Sequence, residues 1–411
     1  MTSHRFPSLL IVTESPPSAP GGGGVLVKQL LRDYPKANIS WWCCQSGSSG
    51  QILPEGVMPH GIFIPNYLFP HARYRRIKSA FLATFWAPLA AWHLKMLLHR
   101  LNPDIVWAIP HQFSILPLHH ALKTWTGSVH VSVHDYMTGQ NYQKTLGLHL
   151  AEKLSELTLQ IYKRGDSRDV ISESMQSDLA KRTKTPSANI IRRSVEPEDL
   201  EWLATKSIRL TDAIHVAYAG TIIVQKEFAS LIAGLKRTRN LLPIKLHLFG
   251  ANDYRAMSWY DPEWMITYPY LSAEQLKVTL RQCHWALLAM RVSDVDNDYN
   301  RFSFPAKFAD YLAAGLPIFA LASSTSTLSD IIQHYDVGHI VNCPDPSEIS
   351  RHMCEKLDPK APDEYRLRIL RCAKEAFNAQ QARECLWRRF IETSMPKNHT
   401  PVSRHFDSLL E

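Results

Sequence analysis

Lys307 and Asp310 lie three residues apart in the stretch 302–322, FSFPAKFADYLAAGLPIFALA. On a helix that spacing puts an ammonium and a carboxylate on one face, close to a first turn whose free amides attract anions. Two readings compete: a site for an anionic ligand, and a solvated ion pair worth little. The neighbouring residues supply the element. Ser303 can cap a helix, Pro305 suits its first turn, Phe308, Tyr311 and Leu312 recur at helical spacing, and Gly315 can end it. Leu316 to Leu321 continues as an apolar run of strand length, so the stretch reads as a helix leading into a buried strand.

Other residues suited to chemistry stand at the ends of strand-like runs. SVHVSVHD (128–135) closes on His134 and Asp135, and open α/β sheets place ligands beyond the carboxyl ends of their strands. His130 falls two residues earlier on the same side, so either histidine also reads as a core or rim residue. SLLIVTE (8–14) precedes Gly21 to Gly24 and then a helix with Leu26, Leu30 and Leu31. This is neither a Walker loop nor G-x-G-x-x-G, yet glycines between strand and helix let backbone amides approach a phosphate or a sugar. A second such unit runs through the strand IHVAYAG (214–220), Lys226, a helix with Phe228, Leu231, Ile232 and Leu235, and the strand KLHLFG (245–250). HWALLAM (284–290) is another buried strand, as is PDIVWAIP (103–110). Asp294, Asp296 and Asp298 alternate but lack the glycine and the final glutamate of a calcium loop, so a solvated loop is expected and no metal.

The stretch 302–322 resembles the nucleotide-sugar signature of the GT-B glycosyltransferase superfamily, in particular retaining enzymes of the group 1 (family 4) type, whose helix reads S-x-P-x-K-x-x-E-Y-x-A-x-G-x-P. Ser303, Pro305, Lys307, Tyr311, Ala313, Gly315 and Pro317 match, with Asp310 at the acidic position. The resemblance implies that Asp310 holds the donor ribose, with Ser303, Phe304 and Lys307 beside it on the donor side. Many relatives carry a second Glu eight residues earlier that contacts the donor sugar; Phe302 stands there. Relatives also read G-[TR]-x…K-[GE], whose Arg and Lys neutralise the leaving diphosphate. Gly220 and Lys226 match, Thr221 replaces the Arg, and Arg291 or Arg301 are candidates to replace its charge. A matching H-D implies that His134 touches the donor sugar near the reacting carbon, and RDVISESMQSDLAKRT (168–183) resembles the segment whose Ser172, Glu173 and Met175 end the acceptor domain. Gly22, Gly23 and Gly24 would form the acceptor-side loop.

What the resemblance implies for the fold is α/β, GT-B, two Rossmann-like domains facing across a cleft: 1–196 for the acceptor, 197–380 for the nucleotide-sugar, and 381–411 as a returning helix and polar tail. A linker is expected at 194–213, which is polar and weakly periodic. The implied reaction moves a sugar from a nucleoside-diphosphate sugar to a glycan or lipid-linked hydroxyl with retention, His134 and Lys226 being catalytic and no cofactor needed. A nucleotide-sugar 2-epimerase of this architecture and a non-catalytic nucleotide-sugar-binding protein are the alternatives.

Composition fits. The chain has 411 residues, enough for two cores, with 45% hydrophobic and 20% charged residues. A net charge of +8 suits an anionic substrate or surface, and with no zinc finger, RNP-like pattern or long basic run nucleic acid is not expected. Seven cysteines without a C-x-x-C, and no apolar signal core at the N-terminus, point to a reduced, cytoplasmic setting. The stretch 71–98, HARYRRIK followed by an aromatic-rich run, reads as a core helix with a basic lead-in. Peripheral contact with the inner face of a membrane is its second reading, and its charge-free run, ending at His93, is too short to span a bilayer.

Overall fold

Among the described residues, thirteen short strands, most of them buried on both faces, form two parallel sheets with helices on either side. The computed structural model describes residues 6–16, 22–44, 57, 59–64, 75–135, 146–205, 213–250, 252–292 and 301–395. The first sheet contains β1 (Leu9–Thr13), β2 (Ile39–Cys43), β3 (Pro59–His60), β4 (Ile105–Ala108), β5 (Ser128–Val133), β6 (Ser167–Val170) and β7 (Asn189–Ile190). Its order is β3-β2-β1-β4-β5-β6-β7. Leu9 pairs with Ile39 on one side and Ile105 on the other, so the LLIVT run of β1 is buried across its whole length. Continuous apolar runs of this kind are what a sheet covered on both faces requires.

Helices of the first half are α1 (Gly22–Leu30), α2 (Arg75–Phe81), α3 (Ala87–Leu101), α4 (Ile115–Leu122), α5 (Leu148–Arg164) and α6 (Glu173–Thr183). The second sheet contains β8 (Ile214–Ala219), β9 (Ile244–Phe249), β10 (Met265–Tyr268), β11 (Trp285–Ala289), β12 (Ile318–Leu321) and β13 (Gly338–Val341), in the order β10-β9-β8-β11-β12-β13. It is flanked by α7 (Pro197–Thr205), α8 (Gln225–Thr238), α9 (Ala273–Leu280), α10 (Lys307–Ala313), α11 (Thr327–Tyr335), α12 (Pro346–Lys356) and α13 (Ala361–Ala376). The last helix, α14 (Ala379–Ser394), lies on the first sheet. Trp387 Nε1 donates to Leu30 O at 2.9 Å, and the Phe390 ring meets Trp107 and His130 edge-on, each at 5.2 Å. This is the α/β fold of two Rossmann-like units that the resemblance implies, and strand order reverses beside β1 and beside β8, where such sheets leave a crevice.

Several elements depart from the sequence expectations. Neither Ser303 nor Pro305 belongs to α10, which starts at Lys307 with Ala306 at its N-cap and no side-chain cap. The cause is Phe302. Its ring is buried in the core of the first sheet, and Ser172 Oγ, itself the N-cap of α6, donates to its carbonyl at 2.6 Å. The chain must therefore cross between the two halves before the helix can begin. Gly315 ends the helix as expected, at φ +72°. The glycine run is no loop: α1 begins at Gly22, so Gly22, Gly23 and Gly24 are its first turn.

The expected linker is helical over α7, which buries Leu200 and Leu203; weak periodicity hid a helix that is anchored by only two apolar residues and the buried Asp199. Between α2 and α3 a π turn (Leu82–Trp86) keeps the helix continuous, giving 25 residues from Ile77 to Leu101, long and apolar enough by length and composition to cross a membrane. That length exceeds the charge-free run read from the sequence, because His93 and Lys95 do not interrupt it. Its inner residues Leu82, Trp86, Leu94 and Leu98 are core side chains of the first half. His71 to Tyr74 and Asp294, Asp296 and Asp298 lie outside the described residues.

Candidate active site

A cavity of about 490 Å³ opens between the two halves, lined by Lys28 of α1 and Arg32 in the turn after it, by Arg193, by Gly220 and Gly250, and by Asp310. That volume is in the range of small-molecule sites. Its floor is backbone. Gly220 ends β8 at φ +108° and Gly250 ends β9 at φ +135°, and a Cβ on Gly250 would meet the Gly220 carbonyl oxygen at 3.1 Å. Only glycine allows the two turns to lie so close at these angles. Asn252 Nδ2 and Tyr254 Oη hold the Gly220 carbonyl from below, at 2.9 and 3.1 Å.

Lys307 and Asp310 do not pair with each other. The Lys307 amine donates to Tyr218 Oη at 3.0 Å and sits 4.2 Å from the centre of the Tyr218 ring, with the Thr221 carbonyl at 3.5 Å. A Cβ on Gly220 would approach that amine to 3.2 Å. Burial among these groups pulls the Lys307 pKa down to about 8, while the charge of Asp310 acts in the opposite direction. The Asp310 carboxylate instead accepts from Arg193 Nη2 at 2.9 Å. Arg193 comes from the segment joining the two halves, and no sequence motif marks it. Its neighbour Arg192 makes a two-point contact with Glu173 and covers the rings of Phe304 and Phe377 at 4.9 and 4.6 Å. Phe304, expected on the donor side, is thus occupied in an aromatic cluster that joins the two cores.

The remaining expected residues are placed as follows. Thr221 is exposed at the cavity edge, with its carbonyl accepting from Tyr218 Oη at 2.9 Å; Ser303 is half-buried in the crossing segment. Lys226 is exposed in the first turn of α8 and does not line the cavity. Arg301 covers the Phe302 ring at 5.3 Å and Arg291 is half-buried.

Across the cleft, His134 follows β5, and its Nδ1 lies 3.7 Å from where a Cβ on Gly23 would be, which brings the two expected residues together. His134 is 9% exposed, and its Nε2 is buried without a hydrogen-bond partner. Burial lowers its pKa despite Asp169 and Asp135, so the imidazole is neutral near pH 7 and free to accept or donate a proton in a hydrogen bond.

Beside it stands a group with no sequence signal. His111, after β4, bonds through Nδ1 to Glu14, after β1, and its Nε2 lies 3.5 Å from Asp135. Burial lowers the His111 pKa, but the Glu14 hydrogen bond and the charges of Glu14 and Asp135 outweigh it and the net shift is upward. The arrangement places two imidazoles, His111 beside Glu14 and Asp135 and the neutral His134, on the first wall of the cleft, and the carboxylate of Asp310 with Arg193 on the second.

No family model matches the chain, and no curated protein matches it. Solved structures do. An α,α-trehalose-phosphate synthase (UDP-forming) from Burkholderia xenovorans, in complex with glucose-6-phosphate, superposes with a TM-score of 0.63 at 13% identity, covering 93% of this chain and 99% of that one. Anabaena Alr3699/HepE, in complex with UDP and glucose, gives 0.65 at 11% identity over 94% and 100% of the two chains. Phytolacca americana UGT2, complexed with UDP-2-fluoro-glucose and pterostilbene, gives 0.56 at 10% over 95% and 100%. The fold is therefore that of GT-B glycosyltransferases. At these identities the likeness concerns the architecture and leaves the reaction to the site.

Proposed function

We propose that this chain transfers a glycosyl group from a nucleoside-diphosphate sugar to an acceptor hydroxyl, with retention at the anomeric carbon. One observation carries the reading: the cavity at the carboxyl ends of β8 and β9 is lined by a carboxylate (Asp310), by the cations Lys28 and Arg193 and by two glycine turns, with the Lys307 amine beside Gly220. A ribose needs an acceptor for its hydroxyls, a diphosphate needs cations, and a base needs a shallow backbone slot. Solved structures of the same fold hold UDP with glucose and UDP-2-fluoro-glucose, which supports the same donor class for this chain. On this reading the diphosphate leaves along the amides of the α8 first turn, where Lys226 stands outside the cavity wall, and the acceptor hydroxyl attacks from the face it departs, its proton passing to the leaving phosphate oxygen. His134, neutral and unpartnered, takes a hydroxyl of the donor sugar. We assign the acceptor to the glycan or lipid-linked class and the protein to the cytoplasm.

A second reading has an observation of its own: Asp310 is held by Arg193, and Phe302 replaces an acid, as in a binding protein that no longer reacts. Incubation with a panel of nucleoside-diphosphate sugars and hydroxyl acceptors separates them. Acceptor-dependent release of nucleoside diphosphate supports transfer. Product without an acceptor would mean the 2-epimerase reaction, and saturable binding without turnover would leave a binding protein.

A further inference from the structure

The helix from Ile77 to Leu101 is apolar on both sides. Its inner residues pack in the first core, while its outer positions leave Phe85 67%, Leu89 51%, Trp92 57% and Met96 53% exposed, with Ile77 at 58%. These residues fall in steps of four, three and four, and Phe81, in contact with Phe85 at 5.7 Å, continues the row toward Ile77. Four-residue steps drift around an ordinary helix of about 3.6 residues per turn. The π turn at Leu82–Trp86, wider than an α turn, offsets that drift and holds the row on one face. Among the remaining exposed positions between 80 and 96 stand Ala80, Thr84 and Pro88, so the outer face carries no charge at its centre. Isolated exposed hydrophobics need no explanation, but a contiguous row of this kind marks a contact surface.

The charge around it says what kind. Residues 56–103 contain no Asp or Glu and six Lys or Arg. Beside the C-terminal half of the row, Lys95, Lys123 and Lys153 gather around His120 and lower its pKa together with burial. Lys123 and Lys153 are exposed. Aromatic and aliphatic side chains bordered by lysines, on a stretch that itself holds no acid, complement headgroups that carry negative charge over an apolar layer. A protein partner of matching shape would need acids set around an apolar groove, whereas a lipid surface supplies both features without shape.

We infer that the outer face of this helix docks the protein on an anionic lipid bilayer, lying in the interface with Phe85, Leu89, Trp92 and Met96 below the headgroups. The inference does not rest on the transfer reaction. α3 runs into β4, so its amino end, with Phe85, lies at the sheet edge that carries His134. Docking therefore sets the mouth of the cleft beside the lipid.

Co-sedimentation of the full chain with vesicles tests it, using phosphatidylcholine alone and phosphatidylcholine mixed with phosphatidylglycerol. Binding is expected to the mixed vesicles and to weaken with added salt. Phe85→Ser with Trp92→Ser should reduce partitioning at least about tenfold, the loss expected for two large apolar side chains. Lys95→Gln with Lys123→Gln should reduce it about 25-fold, from roughly fivefold per cation. Circular dichroism and a melt show whether each variant is folded, and Leu89→Gln serves as a second apolar variant. No binding to anionic vesicles, or binding unchanged in folded variants, overturns the inference. So does a dimer by light scattering that Trp92→Ser dissociates, since the row would then belong to a second copy of the chain.

Discussion

The guanidinium of Arg193 and the carboxylate of Asp310 meet at 2.9 Å in the wall of the cleft, one from the segment that joins the halves and the other from the helix of the donor side. A nucleotide ribose approaching Asp310 finds a carboxylate already oriented by a cation, with one oxygen engaged. Asp310→Ala is expected to weaken nucleoside diphosphate binding by about 1.5 to 3 kcal/mol, the scale of hydrogen bonds to a charged group. Calorimetric titration checks this. Unchanged affinity in a folded variant would reduce the pair to a tie between the two halves.

If the proposed donor site is right, Lys307 should make donor binding depend on alkaline pH. Its pKa of about 8 means that the amine loses its charge as pH rises through that value. An arriving diphosphate favours the charged form and draws a proton in. Affinity should therefore fall between about pH 8 and pH 10, and binding at pH 8.5 should take up protons, seen as a titration enthalpy that changes with the ionisation enthalpy of the buffer. Lys307→Arg, always charged, should flatten the profile. A flat profile in the wild type would remove Lys307 from the phosphate site.

Lys226 and His134 should fail differently. Lys226→Ala is expected to slow turnover by about 10²- to 10³-fold with a smaller effect on donor affinity, since it acts where negative charge grows. His134→Ala should slow transfer but leave the affinity for free nucleoside diphosphate nearly intact, because a group at the sugar does not touch the nucleotide. Equal loss of nucleotide affinity in His134→Ala and Asp310→Ala would end the assignment of His134 to the sugar.

Acid should weaken the second half through a group of histidines at its sheet. His215 Nδ1 and His247 Nε2 lie 2.7 Å apart, His247 Nδ1 reaches Tyr268 Oη at 2.9 Å, and His284 Nδ1 accepts from the His215 amide at 2.8 Å. Burial, then the neighbouring charges, hold His247 down to about 4 and lower His215 as well. A folded pKa below the unfolded value of about 6.5 means the neutral form is favoured by folding. Its contribution is complete above pH 6.5 and is lost as pH falls toward 4, by about 3 kcal/mol at most for His247. Urea midpoints at pH 7 and 4.5 measure the loss, and His247→Asn should show a shallower fall.

Elements whose local pattern agrees with their tertiary role were legible from the chain alone. The apolar runs at Leu9–Thr13, Ile214–Ala219 and Trp285–Ala289 are strands, and Phe228, Leu231, Ile232 and Leu235 are buried together on α8, as their spacing predicts. What escaped depends on partners distant in sequence. Glu14 and His111 are 97 positions apart, and only the oddity of an acid closing an apolar strand hinted at a buried charge. Arg193 sits in a segment that reads as linker, where a cation raises no expectation. The start of α10 was misplaced because Ser303 and Pro305 make a sound local cap that loses to the need to carry Phe302 into the other core. Of the residues proposed for the site, Asp310 and Gly220 line the cavity and His134 lies beside Gly23, whereas Lys307, Lys226 and Phe304 are not in its wall.

Phe302 also sets how the two halves can move. A ring seated in the opposite core, with its carbonyl held by Ser172, acts as a ball joint: it permits rotation about itself and resists translation. Pulling it out would expose a phenylalanine at about 2 to 3 kcal/mol, which leaves on the order of one molecule in a hundred dislocated at any moment. On the transfer reading, opening of the cleft is expected to swivel around this point, with the rim farthest from Phe302 travelling most and the aromatic seam at Phe304 and Phe377 least.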